Sequence, residues 1–221
     1  MKMDFEEYDP PSSLVVKEHK LTRAKFPFID IHNHYGNMNT ADLNERVKFM
    51  DELNMAVMVN LSGRGFRGSG DHLAKSMENI GKQFPNRFVL FTNVDFSDID
   101  NPEWSARTVR QLEEDVKRGA RGLKIYKSLG IHNKDKNGQR IRIDDARIAP
   151  VWDACGRLGI PVLIHSADPK QFWDPIDKRN ERWLELKLHP GRRYDNNETQ
   201  WQTIIDEQHR VFRKHTGTKF I

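Results

Sequence analysis

Two histidines close the first apolar run of the sequence, and their spacing suits metal binding. The run covers residues 28–34 and reads FIDIHNH. In an extended strand alternate side chains share a face, so Asp30, His32 and His34 point one way and the isoleucines between them point the other. Imidazole nitrogens bind borderline divalent metals at about 2.0 to 2.1 Å. The pattern predicts two metal ligands, and two surface histidines in a loop are the alternative.

A third histidine lies where a second apolar run ends. His165 follows the run IPVLI at 160–164 and precedes a turn that contains Asp168. Because parallel strands in a barrel place their carboxyl ends on one rim, His165 is expected near the first pair. Three imidazoles would leave an open coordination position, where bound water ionises near pH ~7. A histidine that hydrogen-bonds a neighbouring carbonyl is the alternative.

A lysine is predicted to face the same interior. In the run LKIY, Leu123 and Ile125 share one face, and Lys124 shares the other with Tyr126. A buried lysine needs a partner or a function. Lys124 could neutralise a carboxylate such as Asp30, bind an anionic substrate, form a structural ion pair, or bridge two metals as a carbamate.

Several other polar residues end predicted strands. Asn93 and Asp95 end the third strand and Asp168 follows the fifth, so each could orient a ligand histidine or simply belong to a turn. Arg64 and Arg67, in a glycine-rich loop, could clamp a substrate carboxylate or be solvated.

Two features elsewhere are less directly chemical. The segment 171–188 contains three large aromatic residues and is either a lid over the site or simple packing. The single cysteine, Cys155, lies on a predicted helix near Trp152 and is read as core.

These residues belong to a predicted alternation of strands and helices, which favours parallel strands with crossover helices. The predicted strands are Phe28–His32, Met55–Asn60, Phe88–Asn93, Arg121–Tyr126 and Ile160–His165, with a sixth beginning at Thr218–Ile221. The predicted helices cover residues 41–53 after a Thr40 cap, then 70–84, 102–118, 144–158 and 198–215.

The spacing of the strands predicts the fold class. Eight units of this size need about 330 residues, within the range of (β/α)₈ barrels, whereas the chain has 221. A five-strand doubly wound sheet suits the length, but the first strand lacks the glycine-rich nucleotide turn. The expectation is an α/β TIM-type barrel that is truncated, with strands 1 to 5 and the start of strand 6. Residues 1–25 form a polar lead-in, and 26–221 form the partial barrel.

Composition excludes several classes of protein. The net charge is only +4 with the signs interspersed, so neither nucleic acid nor an anionic membrane is an expected partner. A lone cysteine excludes an intrachain disulfide. The longest apolar runs have about five residues, against the ~20 needed to span a bilayer, and the polar amino-terminal residues do not predict a signal peptide. We expect a cytoplasmic protein with a small-molecule substrate, either as a monomer or as a homo-oligomer.

Three segments resemble a known family. FPFIDIHNHYG, RGLKIYKSLG and IPVLIHSADP are similar to the first, fourth and fifth strands of the amidohydrolase superfamily, especially its amidohydrolase-related, metal-dependent hydrolase branch. The resemblance implies a barrel with one or two divalent ions, usually zinc. It makes His32 and His34 the first-strand ligands and His165 the fifth-strand ligand. Lys124 occupies the strand where some members carry a bridging carbamylated lysine.

The resemblance also implies an activity. Members use metal-bound hydroxide to attack a carbonyl of an amide, lactone or ester, and this is the expected function. The family's sixth-strand histidine and eighth-strand aspartate have no counterpart before Ile221, so an inactive fragment or interaction module is one alternative. A metal-dependent decarboxylase and a phosphoesterase on a similar barrel are the others.

Overall fold

The chain is an α/β structure with parallel strands. The structure, a computed structural model, describes Asp4 and residues 7–65, 71–194 and 199–221. Its strands are β1 (Phe28–Asn33), β2 (Met55–Asn60), β3 (Phe88–Leu90), β4 (Thr92–Asn93), β5 (Leu123–Ile125) and β6 (Val162–Ile164). Its α-helices are α1 (Asn44–Leu53), α2 (His72–Gln83), α3 (Trp104–Lys117), α4 (Ala149–Leu158), α5 (Trp183–Leu188) and α6 (Trp201–Lys214). None of these helices is long and apolar enough to cross a membrane.

The strands form two parallel sheets, ordered β1-β2-β3 and β4-β5-β6. The predicted third strand is divided at Phe91, so that β3 pairs with β2 and β4 pairs with β5. Phe91 links the two halves because its backbone N–H donates to Asn60 while the next residue, Thr92, donates to Gly122.

The predicted sixth strand begins at the end of the chain. The Val162 N–H donates to Lys219, and the Ile221 N–H donates back to Val162, at 2.8 and 2.9 Å. The described strands therefore follow the order of a (β/α)₈ barrel, but they do not close into one.

One face of the later strands packs against helices. Leu123 and Ile125 of β5 are buried in a core with Trp152 and Cys155 of α4. The alternation predicted for this strand and the core position of Cys155 are confirmed. Burial raises the pKa of the Cys155 thiol to about 12, so it stays protonated at neutral pH.

Strand β1 differs from expectation. The burial of its residues does not alternate, its pairing with β2 is irregular between Asp30 and Asn33, and Ile29 and Ile31 are 57% and 58% exposed. In the part of the chain described here β1 pairs only with β2, and Ile31 lines a cleft instead of lying in the core. The apolar face of β1 is therefore present without the packing that normally accompanies it.

All five predicted helices begin later than predicted, by two to five residues. Before α1 and α4, side chains bond the backbone groups of the preceding segment. Helix α1 starts at Asn44 and not after a Thr40 cap, since the Asn79 side chain donates to the carbonyls of Met38 and Ala41 and holds this segment as a turn. Helix α4 starts five residues late, at Ala149. Before it, the Asp145 carboxylate accepts from the Arg147 backbone N–H and fixes a turn.

The aromatic segment at 171–188 packs against the body of the protein. Phe172 is buried, and the Trp173 ring stacks on Tyr194 with centroids 4.3 Å apart. The Trp173 indole N–H donates to the Thr199 carbonyl. Of the two interpretations of this segment, packing fits these contacts.

A glycine is required where β2 leaves the sheet. A Cβ on Gly63 would lie 2.3 Å from the Phe91 carbonyl oxygen, which already accepts the Gly63 N–H at 3.0 Å. We expect Gly63→Ala to lower the free energy of unfolding by about 1 to 3 kcal/mol, because this backbone cannot move away. Urea denaturation measures the change.

Gly81 provides the matched control. It lies inside α2, and a Cβ there meets no atom within 4 Å. Gly81→Ala is expected to stabilise the protein by about 0.5 to 1 kcal/mol through helix propensity. Equal effects of the two substitutions would contradict the contact described for Gly63.

Candidate active site

The two first-strand histidines lie side by side at the carboxyl end of β1. Their ring centroids are 5.4 Å apart in an edge-to-face arrangement. The Nδ1 atom of His34 is 2.8 Å from Ser62 Oγ, so the hydroxyl after β2 orients this ring. The two rings are therefore neighbours, although His34 lies one residue beyond the end of β1.

Ser62 belongs to a network that sequence reasoning did not identify. Its Oγ also lies 2.8 Å from the hydroxyl of Tyr126, and its backbone N–H donates to Asn60 Oδ1. The buried Asn60 amide exchanges two further hydrogen bonds with the backbone of Tyr35, which follows His34. The signal available in the sequence was position, since Asn60 ends a strand and Ser62 follows it closely.

Lys124 is buried in this region without a partner. Its side chain is 1% exposed, and among the described residues Nζ has no hydrogen-bond partner. Its Nζ lies 5.8 Å from the centroid of the Tyr126 ring. Burial lowers the pKa of Lys124 to about 8, so the amine is still mostly protonated at pH 7.

Asp30 does not neutralise Lys124. Its two carboxylate oxygens accept from the His32 backbone N–H and the Asn33 side chain, at 3.0 and 3.1 Å. Asp30 therefore caps the end of its own strand. The suggestion that it pairs with the lysine is wrong, because both of its oxygens are turned to local donors.

A cleft of about 450 Å³ opens beside Lys124. Its size lies within the ~300 to 1,000 Å³ typical of small-molecule sites. The cleft brings together the carboxyl ends of β1, β5 and β6 with the end of the chain. Its lining residues are Ile31, His32, Lys124, Leu163, Ile164, His165, Ser166, Gln208 and Ile221.

The three histidines have the chemistry that a divalent ion needs. Partial burial and the neighbouring His32, Lys124 and His165 lower the pKa of His34. Partial burial and Lys124 also lower the pKa of His165, although Asp168 opposes them. Neutral imidazoles keep the lone pair that binds a metal.

The three imidazoles are not grouped around one point in this structure. No three His, Cys, Asp or Glu side chains in the described ranges form a group that could hold a metal. The donor set therefore fits a divalent ion by its chemistry, and an ion would have to draw the imidazoles together or recruit a further donor.

Asn93 and Asp95, which the sequence predicts either to orient a ligand histidine or to belong to a turn, hold the backbone around the site. Asn93 is buried and donates to the carbonyls of Leu61 and Lys124, at 2.9 and 3.3 Å, which ties three strands together. Asp95 accepts from the Ser97 N–H in its own turn.

Asp168 lies beside the cleft without lining it. Both of its oxygens accept from Lys127 Nζ at 2.8 Å, and Oδ2 also accepts from the Tyr194 hydroxyl at 3.0 Å. Asp168 thus fastens the loop after β6 to neighbouring segments and makes no contact with His165 among these bonds.

Arg64 has a structural partner. Its side chain is buried and donates to both oxygens of the fully buried Asp115, at 3.1 and 2.9 Å. Both interpretations drawn from the sequence, a substrate clamp and a solvated arginine, are therefore wrong. The glycines around Arg64 let the loop turn the side chain inward. Arg67 lies outside the described residues.

The comparisons with known proteins agree with this fold. The amidohydrolase family model matches residues 82–221, more than half of the chain. A 2,6-dihydroxybenzoate decarboxylase from Rhizobium superposes with a TM-score of 0.53 at 18% identity, over 90% of this chain and 65% of that one. A 4-oxalomesaconate hydratase from Rhodopseudomonas palustris gives a TM-score of 0.54 at 15% identity, over 87% and 61%.

A third structure contains a metal. It is a dihydroxybenzoic acid decarboxylase from Polaromonas with bound manganese and the inhibitor 2-nitroresorcinol, with a TM-score of 0.51 at 20% identity, over 81% of this chain and 53% of that one. No curated protein matches the sequence significantly. The chain thus spans 53 to 65% of the length of these three structures. The parallel strand order, the polar residues at its carboxyl rim and the family match together show that the chain belongs to the amidohydrolase family.

Proposed function

We propose that this protein binds one divalent metal ion through His32, His34 and His165 and acts on a small molecule held in the adjoining cleft. The observation that carries the proposal is the juxtaposition of imidazoles from β1 and β6 with a buried, unpaired lysine at the carboxyl ends of the strands. This is the end of a parallel barrel where catalytic groups collect.

Each residue has a defined part in this proposal. The hydrogen bond between Ser62 and Nδ1 of His34 fixes that ring and leaves Nε2 for the ion. Lys124 supplies a positive charge against the substrate. A bound divalent ion supplies Lewis acidity that polarises a substrate oxygen.

Two reactions are compatible with such a site. Hydrolysis of an amide, lactone or ester is the first candidate, from the resemblance of the strand motifs to metal-dependent hydrolases. Decarboxylation is the second, and the decarboxylases among the structural relatives favour it. Imidazole ligands accept zinc or manganese. The resemblance to the family supports zinc, and the manganese bound in the Polaromonas enzyme supports manganese equally.

Metal analysis tests the site directly. The purified 221-residue chain is incubated with Mn²⁺ or Zn²⁺, desalted, and analysed by mass spectrometry of the bound metal. We expect about one ion per chain in the wild type. His32→Ala is expected to weaken metal affinity by about tenfold or more. Loss of a residue that only orients a ligand already costs about 10- to 100-fold in affinity, and loss of one of three ligands should cost at least as much.

His209→Ala is the matched control. His209 is exposed on α6 and does not line the cleft, so its removal is expected to leave metal content unchanged. Full retention of metal by His32→Ala, or equal loss in both variants, would overturn the proposed site.

A further inference from the structure

The ring of His34 lies at one end of a chain of hydrogen bonds whose other end is a backbone carbonyl. His34 Nδ1 is 2.8 Å from Ser62 Oγ, and Ser62 Oγ is 2.8 Å from the Tyr126 hydroxyl. The Tyr126 hydroxyl is in turn 3.3 Å from the Leu61 carbonyl oxygen, to which it can only donate. The three contacts connect the residue after β1, the loop after β2 and the residue after β5.

The contact with Ser62 does not by itself decide where His34 carries its proton. A serine hydroxyl has one proton, so it can donate to Nδ1 or accept a proton from Nδ1. If it donates, the proton of the neutral imidazole is on Nε2, and if it accepts, that proton is on Nδ1. Only the second tautomer leaves the Nε2 lone pair free for a metal ion.

The Leu61 carbonyl fixes the direction of the chain. Because a carbonyl has no proton, its contact is a hydrogen bond only if Tyr126 donates its single proton there. Ser62 must then donate to the phenolic oxygen, and its own oxygen is left to accept the Nδ1 proton of His34. All three contacts are hydrogen bonds in this arrangement alone, since any other arrangement makes two at most.

Burial and a second donor hold this end of the chain in place. Ser62 and Leu61 are both 0% exposed, so water does not compete for the serine hydroxyl. The Asn93 side chain donates to the same Leu61 carbonyl at 2.9 Å and keeps it directed toward the site. A carbonyl oxygen has two lone pairs and can accept from both Asn93 and Tyr126.

We propose that Tyr126 is a positioning residue that sets the tautomer of His34 through Ser62, with the proton on Nδ1 and the lone pair on Nε2. The ring is then ready for a divalent ion before the ion arrives, and no proton has to leave Nε2 when it binds. The use of this lone pair for a metal rests on the proposed function, whereas the tautomer is a property of the metal-free chain.

Nitrogen NMR of the metal-free chain tests the assignment. The 221-residue protein is labelled with ¹⁵N in its histidines, treated with EDTA and measured at about pH 8.5, where an imidazole with an ordinary pKa near about 6.5 is neutral. The shifts of the two ring nitrogens show which one carries the proton, and the His34 signals are identified by their loss in His34→Ala. We expect the Nδ1–H form to predominate in the wild type.

Tyr126→Phe should change this tautomer. The Ser62 proton then has no phenolic oxygen to bond and turns to Nδ1, so the Nε2–H form of His34 should reach at least about half of the population. Tyr194→Phe is the matched control, because it also removes one phenolic hydroxyl, but that hydroxyl donates to Asp168. The His34 tautomer should be unchanged in the control.

Two results would overturn the proposal. One is a wild type with the His34 proton mainly on Nε2, and the other is a Tyr126→Phe variant with the wild-type ratio of tautomers. If Tyr126→Phe does not fold, Ser62→Ala takes its place, since Nδ1 then loses its acceptor and the share of the Nδ1–H form should fall. An unchanged ratio in Ser62→Ala would overturn the proposal in the same way.

Metal affinity separates this proposal from the proposed function. Tyr126→Phe should weaken Mn²⁺ binding by about twofold to tenfold, because only the fraction of chains with a free Nε2 can bind the ion. A chain that has the Nδ1–H form of His34 but retains no metal would keep the role of Tyr126 and lose the metal site. A chain that loses its metal in His32→Ala but shows no change of tautomer in Tyr126→Phe would keep the metal site and lose the role of Tyr126.

Discussion

Asp115→Ala is expected to lower the free energy of unfolding by about 3 to 5 kcal/mol, because it leaves the guanidinium of Arg64 charged and buried without its partner. The Asp115 carboxylate is fully buried on α3, accepts two hydrogen bonds from Arg64, and accepts a third from the Thr92 hydroxyl at 2.5 Å. These bonds join α3 to β4 and to the loop after β2. Urea denaturation followed by circular dichroism measures the loss.

A double variant separates the charge from the packing. Replacing both partners, as Arg64→Met with Asp115→Leu, is expected to recover most of the lost stability, since apolar residues of similar size often replace a buried ion pair at little cost. Asp98→Ala is the exposed control. Its pair with Arg107 is at the surface, so a change of at most about 1 kcal/mol is expected. A similar loss of stability in Asp115→Ala and Asp98→Ala, or no recovery in the double variant, would contradict this account.

The polar face of the site could be predicted because it depends on strand periodicity. Alternation in β1 and β5 predicted His32, His34 and Lys124 on the interior side. His32 and Lys124 line one cleft, which Ile31 of the other predicted face of β1 also lines. The parallel order of the strands could also be predicted, since each apolar run is followed by a helical pattern. Whether the three histidines bind a metal together stays a prediction.

The rest depends on contacts between distant residues, which periodicity does not encode. Arg64 meets Asp115 across 51 positions of the chain, and nothing near Arg64 in the sequence indicates a buried carboxylate. The exposure of Ile29 and Ile31 is likewise set by which strand lies beside β1, and their own residue types predict burial. Ser166 was overlooked because a serine in a turn is common, and only the folded structure shows that its hydroxyl is buried without a hydrogen-bond partner among the described residues.

Lys124→Met is expected to raise the free energy of unfolding by about 2 kcal/mol at pH 7. Burial holds the pKa of Lys124 at about 8, against 10.5 for an exposed lysine. Each pKa unit of difference corresponds to about 1.4 kcal/mol of destabilisation. We reduce the total to about 2 kcal/mol because the cleft opens to water. Methionine has a similar length and carries no charge, so it removes the penalty and keeps most of the packing.

The dependence on pH identifies the charge as the cause. Below pH 8 the lysine is protonated in both the folded and the unfolded chain, so the folded protein bears the whole cost. As the pH rises from 8 to 10.5 the folded amine loses its proton before the unfolded one does. Because the unfolded chain then binds more protons, wild-type stability rises with pH relative to Lys124→Met, and the advantage of the variant should shrink toward zero. Urea denaturation of both proteins at pH 7 and near pH 10 measures this difference.

The sign of the stability change at pH 7 therefore separates two roles of this amine. An amine kept for packing would make Lys124→Met less stable at pH 7, and that result would contradict a buried charge without a partner. A charged amine that is buried with no hydrogen-bond partner among the described residues makes the variant more stable at pH 7.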